Sequence, residues 1–587
     1  MKKIKLFGVA GSGKTTACLT MIKCLLGIED KPISEEIKNP FSEDFGQYEF
    51  NDICFCSYTT AAIRSILGKI KYSTQIEIPK EHYFRTLHSI TWRLCGYDGS
   101  NKISSEDKQA FFKKVGIKIE KESEDEDSEA DTVVAIYDKL INFYSKRLDK
   151  ISNMEIKEFI FNQYMKKDTV NIEKEHLIFV LRKYDVWKIE NDKKDYVDSL
   201  IDLYERRIDN PCSVLIVDEA QDLGRLQANI IKMWTEEYHK DIFVLSGDDD
   251  QTVHEWAGAT PDFLIEYECD NKLILEKSYR LPQKISVLCN GILQTINYRE
   301  KKIIFSEKQL GKIKYFPDFN FHKLLLFISR NKLFEEKNYF LFRANKIVHS
   351  FSEFLFEYSN IPFGILGKQS PWNLKFIDVS NALNKITQKR DLLKREVKHL
   401  FDCLPSSTCL AYGVKSKINI NNKEIYTWEE VLAMTKLWNF QATLFEFKTI
   451  DSSKIPIKPK ILKYLNYVKI KNNDIKSIKK NEGYIKKLQG VNYIIDVDLD
   501  DKNKLVGFNN MLGTFHSAKG LEAKNVFVFL GTLDYFKNMT DSERRCFYVA
   551  CSRPFENLFF VGTMFDEGQK PYLENEFKNL ILKHAEI

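Results

Sequence analysis

Three short apolar runs punctuate the chain: Ile4 to Phe7, Ser213 to Val217 and Ile242 to Leu245. Each leads into glycine or aspartate, and longer stretches with helical spacing separate them. Short β-rich runs alternating with helices predict an α/β chain whose parallel sheets are wound with helices. Ligands in such sheets sit at the carboxyl ends of the strands, where the polar residues after all three runs would fall. Between the first and second runs, residues 96–210 carry apolar positions at helical spacing, among them Val134, Ile136, Tyr137, Leu140, Ile141 and Tyr144. An acidic run from Glu120 to Asp131 interrupts them and reads as a solvated loop. A second long stretch, 366–508, lacks nucleotide-binding signals. Its last part, Lys454 to Leu488, sets many lysines among isoleucines and tyrosines, which suits a helical surface with a basic face. A solvated face is the default reading there and a DNA-facing one the alternative.

Length and composition narrow the class. The 587 residues leave room for roughly three to four domains of about 150 residues each. With 43% apolar and 29% charged residues the chain is globular in composition. A formal charge of +5 is too small at this length to announce nucleic acid by itself. The twelve cysteines include no C-x-x-C pair, so neither zinc nor an iron–sulfur cluster is indicated. Nothing marks secretion, no signal peptide is evident, and no run of about twenty apolar residues exists to cross a bilayer. A reduced, cytoplasmic protein without membrane attachment is expected (host cytoplasm if viral).

The first polar segment is the most specific. Gly8-Val9-Ala10-Gly11-Ser12-Gly13-Lys14-Thr15 fits G-x-x-x-x-G-K-[ST], with a strand before it and a helix of about Lys14 to Leu26 after it. Gly8, Gly11 and Gly13 let backbone N–H groups close on phosphate oxygens without a Cβ in the way. Ala10, Ser12 and Thr16 belong to the same cradle, and the helix adds its positive N-terminal dipole. Lys14 would neutralise the β- and γ-phosphates, and the Thr15 hydroxyl would ligate Mg²⁺. The second run ends in Asp218-Glu219-Ala220-Gln221-Asp222. There Asp218 can hold Mg²⁺ and Glu219 can take a proton from the attacking water. Adjacent carboxylates are common in loops; paired with the phosphate loop they indicate hydrolysis of a nucleoside triphosphate.

At this point the chain resembles a known family. Asp218 to Asp222 is similar to the D-E-A-Q-D signature of superfamily 1 DNA helicases of the UvrD, PcrA and Rep kind. Gly247-Asp248-Asp249-Asp250-Gln251 and the residues on to Ala259 resemble G-D-x-D-Q-S-I-Y-x-W-R-G-A. Further matches run in the family's order. They are Ser57 to Ala62, Thr86-Leu87-His88-Ser89, Lys277-Ser278-Tyr279-Arg280-Leu281, Gly513 to Glu522, and Glu543 to Arg553.

The resemblance implies two RecA-like parallel-sheet cores, each with a largely helical insertion. The first core would be 1–95 and 211–275, interrupted by 96–210; the second would be 276–365 and 509–587, interrupted by 366–508. It implies an ATP-driven helicase or translocase on single-stranded DNA and its junctions with duplex, moving 3′ to 5′. Gln251 would sense the γ-phosphate, and Arg280 and Arg553, given by the second core across the cleft, would stabilise the charge of the transition state. Tyr279 would stack on the base and Glu522 bond the ribose. Tyr58 and Trp256 are the family's stacking positions for DNA bases, with His254 a weaker one, and Thr59, His88 and His516 are strand contacts. ATP and Mg²⁺ are the implied cofactors.

Several departures matter. No glutamine occurs among the residues before Lys14, where the family has an adenine-reading motif, so weak discrimination between ATP and GTP is expected. Ala257 stands where the family commonly has arginine, His254 where it has tyrosine, and Ser552 where it has threonine. The sequence ends soon after the last motif, and no fused nuclease domain is expected. The competing expectation is an NTPase motor or sensor subunit of a nuclease-coupled defence or recombination complex, without robust unwinding alone.

Overall fold

The computed structural model describes residues 1–74, 78–115, 174–255, 258–317, 321–358, 363–366, 389–403, 410–414, 425–435, 509–530, 539–562 and 575–586, with 378, 382, 385, 386 and 418. The acidic run at 120–131 and the lysine-rich stretch at 454–488 lie outside the described residues. By internal contacts the chain divides into two compact units. One is Met1–Tyr315 with Leu533–Leu558 and Met564–Ile587; the other is Phe316–Thr532 with Phe559–Thr563.

The first sheet holds β1 (Lys2–Gly8), β2 (Ile53–Ser57), β3 (Tyr83–Thr86), β4 (Val214–Val217), β5 (Ile242–Gly247) and β6 (Asn271–Leu275). Their order is β3-β2-β4-β5-β1-β6, and every pairing is parallel. The three apolar runs read from sequence are β1, β4 and β5. Both β4 and β5 are buried along their whole length, as strands covered on both faces by helices must be. The period of two sorts their side chains cleanly. Ile4, Leu6, Val214, Ile216, Ile242 and Val244 pack on the face covered by helix α1 (Lys14–Leu25). Phe7, Leu215, Val217, Phe243 and Leu245 pack on the opposite face, against the helix Arg225–Glu236. Cys54 and Cys56 share that second face and are free thiols. Helix α2 (Thr60–Thr74) follows β2 directly.

The second sheet holds β7 (Lys312–Phe316), β8 (Asn338–Phe342), β9 (Phe363–Ile365), β12 (Asn510–Thr514), β13 (Ala523–Phe529) and β14 (Pro554–Val561), ordered β7-β14-β13-β8-β12-β9. A two-stranded antiparallel pair, β10 (Leu392–Leu393) and β11 (Ile425–Tyr426), lies in sequence between β9 and β12. Around β8, β12 and β13, which pair in parallel, the core is aromatic. Phe340 stacks on Phe527 at 4.8 Å, Phe342 on Phe529 at 4.1 Å, and Phe527 on Phe559 at 4.5 Å. The chain is thus built on two parallel-sheet α/β cores.

Candidate nucleotide and DNA sites

The loop after β1 turns into α1 through Gly11 (φ 74°) and Gly13 (φ 84°), both left-handed and therefore glycine positions. Gly11 has a second constraint, because a Cβ there would lie 2.4 Å from the Cβ of Arg280. Two neighbouring segments grip this loop from outside. Ser278 donates its hydroxyl to Ala10 O at 2.7 Å, the Tyr279 N–H reaches Gly11 O at 2.9 Å, and the Ala10 N–H points at the buried Tyr548 hydroxyl at 3.4 Å. Lys14 lies buried at the start of α1, with Nζ donating to Gly8 O at 3.0 Å. The Ser12 hydroxyl is buried and has no hydrogen-bond partner among the described residues. An orphan of that kind inside a loop of backbone donors is the mark of a site that awaits an acceptor such as a phosphate oxygen.

Asp218, at the carboxyl end of β4, faces this loop. Its Oδ2 accepts from the Thr15 hydroxyl at 3.0 Å, and its Oδ1 from the Ser246 hydroxyl at 2.9 Å and the Glu219 N–H at 3.0 Å. Burial, and then the neighbouring Glu219 carboxylate, push the Asp218 carboxyl up to about 6. A nearby cation would draw it back down. Glu219 itself is held in the left-handed region (φ 56°), a strained backbone for a residue with a side chain. Gln221 ties this segment to the next: its amide donates to Glu219, and its carbonyl accepts the Asp248 N–H at 3.0 Å.

Gln251 is fixed from both ends. Its amide donates to Asp248 Oδ2 at 2.6 Å, and its carbonyl accepts from Arg553 Nη2 at 2.9 Å. Arg553 follows the helix Asp541–Cys551 and is fully buried. Burial, and then the positive charge of Arg280, lower its guanidinium to about 9, while the Glu219 charge acts the other way. Arg280 and Glu219 are therefore both within electrostatic reach of Arg553. Lys14, Thr15, Asp218, Glu219, Gln251, Arg280 and Arg553 all fall within the first compact unit and surround one loop. Tyr279 is 55% exposed beside that loop, open to a planar group, with Lys277 Nζ 5.7 Å from its ring centre.

The predicted DNA residues are less uniform. Tyr58 and His254 stack at 5.5 Å with ring planes 19° apart. Tyr58, His88, Asp222 and Gln227 line a small cleft with Gly224 and Ala259. His88 packs edge-on against Tyr196 at 5.9 Å. The Thr59 hydroxyl accepts the Ala62 N–H at 3.3 Å, which makes it a cap of α2. Trp256 and Ala257 lie outside the described residues. Glu522 is exposed and His516 half-buried in the second compact unit.

Two further residues at this site belong to none of the sequence motifs. Lys302 and Arg299 meet Asp248, Asp249 and Asp250, three consecutive carboxylates that are each fully buried. The signal available was the aspartate triplet itself, since three buried anions require cations somewhere in the fold.

A phosphate loop, an acidic strand end and a buried arginine on a parallel sheet define the class: a P-loop nucleoside triphosphatase. Comparison with known sequences supplies the family. Residues 1–272 match the UvrD/REP helicase N-terminal domain, and residues 380–563 match the UvrD-like helicase C-terminal domain. The chain belongs to the UvrD, Rep and PcrA family and is an ATP-dependent DNA helicase of superfamily 1. It is similar to a probable DNA helicase II homolog of Mycoplasma capricolum, 25% identical across 95% of this chain and 82% of that protein. It is also similar to the ATP-dependent DNA helicase Rep of Buchnera aphidicola subsp. Schizaphis graminum, 25% identical across 63% of this chain and 65% of the relative. PcrA of Staphylococcus aureus is 23% identical across 63% of this chain and 58% of its own length.

Proposed function

We propose that this helicase steps along single-stranded DNA in the 3′ to 5′ direction, opens duplex at junctions, and draws each step from ATP hydrolysis at the Lys14 loop. The observation that carries this reading is Gln251, held between Asp248 on the phosphate side and Arg553. Three residues further on, His254 stacks on Tyr58. A change in how Gln251 is held is thereby transmitted along a short segment to a base-stacking pair.

The geometry supports the roles proposed around the phosphate loop, and family position supplies the others. Gly8, Ala10, Gly11, Ser12, Gly13 and Thr16 form the cradle, Lys14 neutralises the phosphates, and Tyr279 offers its exposed ring to the base. Glu522 is assigned to the ribose by family position alone. Thr15 and Asp218 would hold Mg²⁺: their oxygens lie 3.0 Å apart. A hydroxyl and a carboxylate are hard oxygen donors of the kind that ion takes. Bound there, Mg²⁺ would offset charge on the phosphate oxygens. Glu219 accepts the proton of the attacking water, and Arg280 and Arg553 stabilise the charge that develops on the γ-phosphoryl group. Tyr58 and His254 stack on bases, with Trp256 in the same role, and Thr59, His88 and His516 contact the strand.

Among the described residues no helix is long and apolar enough to cross a membrane, and we place the protein in the cytoplasm. ATPase assays with and without single-stranded DNA test the assignment. Turnover rises with the strand and collapses in Lys14→Ala. A Lys14→Ala protein that hydrolyses ATP as the parent does would refute it.

A further inference from the structure

Asp248, Asp249 and Asp250 bring three carboxylate oxygens within 4.8 Å of one another with no exposure to solvent. By spacing alone such a cluster invites a divalent cation, but an ammonium already occupies that place. Lys302 Nζ lies 3.1 Å from Asp248 Oδ1 and 3.1 Å from Asp250 Oδ2, and also pairs with Asp249. Its side chain is completely buried, with Nζ 5.4 Å from the centre of the Phe7 ring. Arg299 grips Asp250 with two bonds of 2.7 Å, and the Glu300 N–H reaches Asp249 Oδ2 at 2.7 Å.

Asp248 divides its oxygens between two tasks. Oδ2 accepts from Gln251 and lies 3.9 Å from Lys14 Nζ. Oδ1 is buried and accepts no aligned hydrogen bond among the described residues, and the Lys302 ammonium 3.1 Å away offsets its charge. Were Lys302 neutral, the cation left nearest Asp248 would be Lys14. The lysine needed by the phosphates would then be held by a carboxylate, and the Asp248–Gln251 contact would lose its anchor. A buried carboxylate stripped of its partner recruits whatever cation is within reach.

We propose that Lys302, supported by Arg299, is a positioning residue for ATP hydrolysis: it absorbs the charge of the aspartate triplet, which leaves Lys14 to the phosphates and Gln251 in place. This rests on the nucleotide-site reading above. Three buried carboxylates against Lys302 and Arg299 leave one net negative charge. Lys302→Met keeps the stem, removes the ammonium and leaves two. Adding Asp249→Asn returns the balance to one.

The test is steady-state ATPase kinetics in the full chain with single-stranded DNA present, alongside thermal melting. Lys302→Met lowers kcat/KM for ATP roughly a hundredfold, with KM raised about tenfold as Lys14 is diverted. The double variant Lys302→Met/Asp249→Asn recovers at least about tenfold of that loss, which lost packing alone would not permit. If Lys302→Met does not fold, the double variant folds and hydrolyses ATP. The proposal is overturned by parental kinetics in Lys302→Met, or by a double variant no better than the single one. Lys14→Ala separates the two levels. An inactive Lys14→Ala beside a normal Lys302→Met removes only the positioning role, whereas an active Lys14→Ala removes the site itself.

Discussion

The two sheets share a parallel plan and use the polar residues at their strand ends in opposite ways. In the second sheet one buried polar cluster sits at the amino ends of β8, β12 and β13. Asn338 donates to Asn510 Oδ1 at 2.7 Å and accepts from Asn525 Nδ2 at 2.9 Å, and its amide also reaches the carbonyls of Leu333 and Glu336. All three asparagines are buried, and Asn510 and Asn525 also donate to the Phe334 carbonyl and to Glu336 Oε2, so the cluster's bonding capacity is spent within the fold. In the first sheet the polar residues sit at the carboxyl ends of β1, β4 and β5, with the Ser12 hydroxyl unpaired among the described residues and Tyr279 exposed. A closed buried network rigidifies, while an open one keeps bonding capacity for a ligand. A parallel α/β sheet is therefore only a scaffold for phosphate chemistry; what the strand ends leave open decides where that chemistry occurs.

Substitutions that exploit this contrast separate activity from stability. Arg553→Ala should have the largest effect, lowering kcat about 10³-fold or more, because a cation aimed at the γ-phosphoryl group acts mainly in the transition state. Single-turnover ATPase measures this, and a loss below tenfold would contradict the role. Glu219→Gln should lower kcat by about 10²–10⁴-fold with KM for ATP nearly unchanged, since its proposed role is to take a proton from water and not to bind phosphate. A raised KM at parental kcat would count against it. On the closed side, Asn338→Ala should cost about 2–4 kcal/mol of stability in urea denaturation, because several buried partners lose their bonds at once. The folded fraction should retain its ATP turnover; parental stability would show that the asparagine cluster is not a closed unit. Smallest of the four, Tyr58→Ala should weaken single-stranded DNA binding by about 1–3 kcal/mol at constant salt, the worth of one stacked base. Fluorescence anisotropy reads this, and unchanged affinity would remove Tyr58 from the strand path.

The fold class was legible because its signal is local. β4 and β5 are unbroken apolar runs, and the phosphate loop announces itself through glycine spacing that few other structures require. The residues around Gln251 were legible through family resemblance, although spacing gave no sign that the Gln251 amide group would be held at both ends. Lys302 and Arg299 were not legible from any pattern of their own. Each is one basic residue in a lysine-rich chain, roughly fifty positions from its aspartate partners. Their importance arises only when burial strips water from Asp248, Asp249 and Asp250. Thr59 has a second role that its motif did not announce. Its motif position resembles a strand contact, and its hydroxyl caps α2 in the fold. The grip of Ser278 and Tyr548 on the phosphate loop was likewise hidden, since both bonds join segments hundreds of residues apart.

We propose that ATP cleavage at the Lys14 loop moves this protein directionally along one DNA strand. Unwinding of a duplex with a single-stranded 3′ tail, set against the same duplex with a 5′ tail, tests that claim most directly. ATP-dependent strand separation is expected from the 3′-tailed substrate, with little from the 5′-tailed one. Equal unwinding of both, or ATP hydrolysis with neither opened, would contradict it.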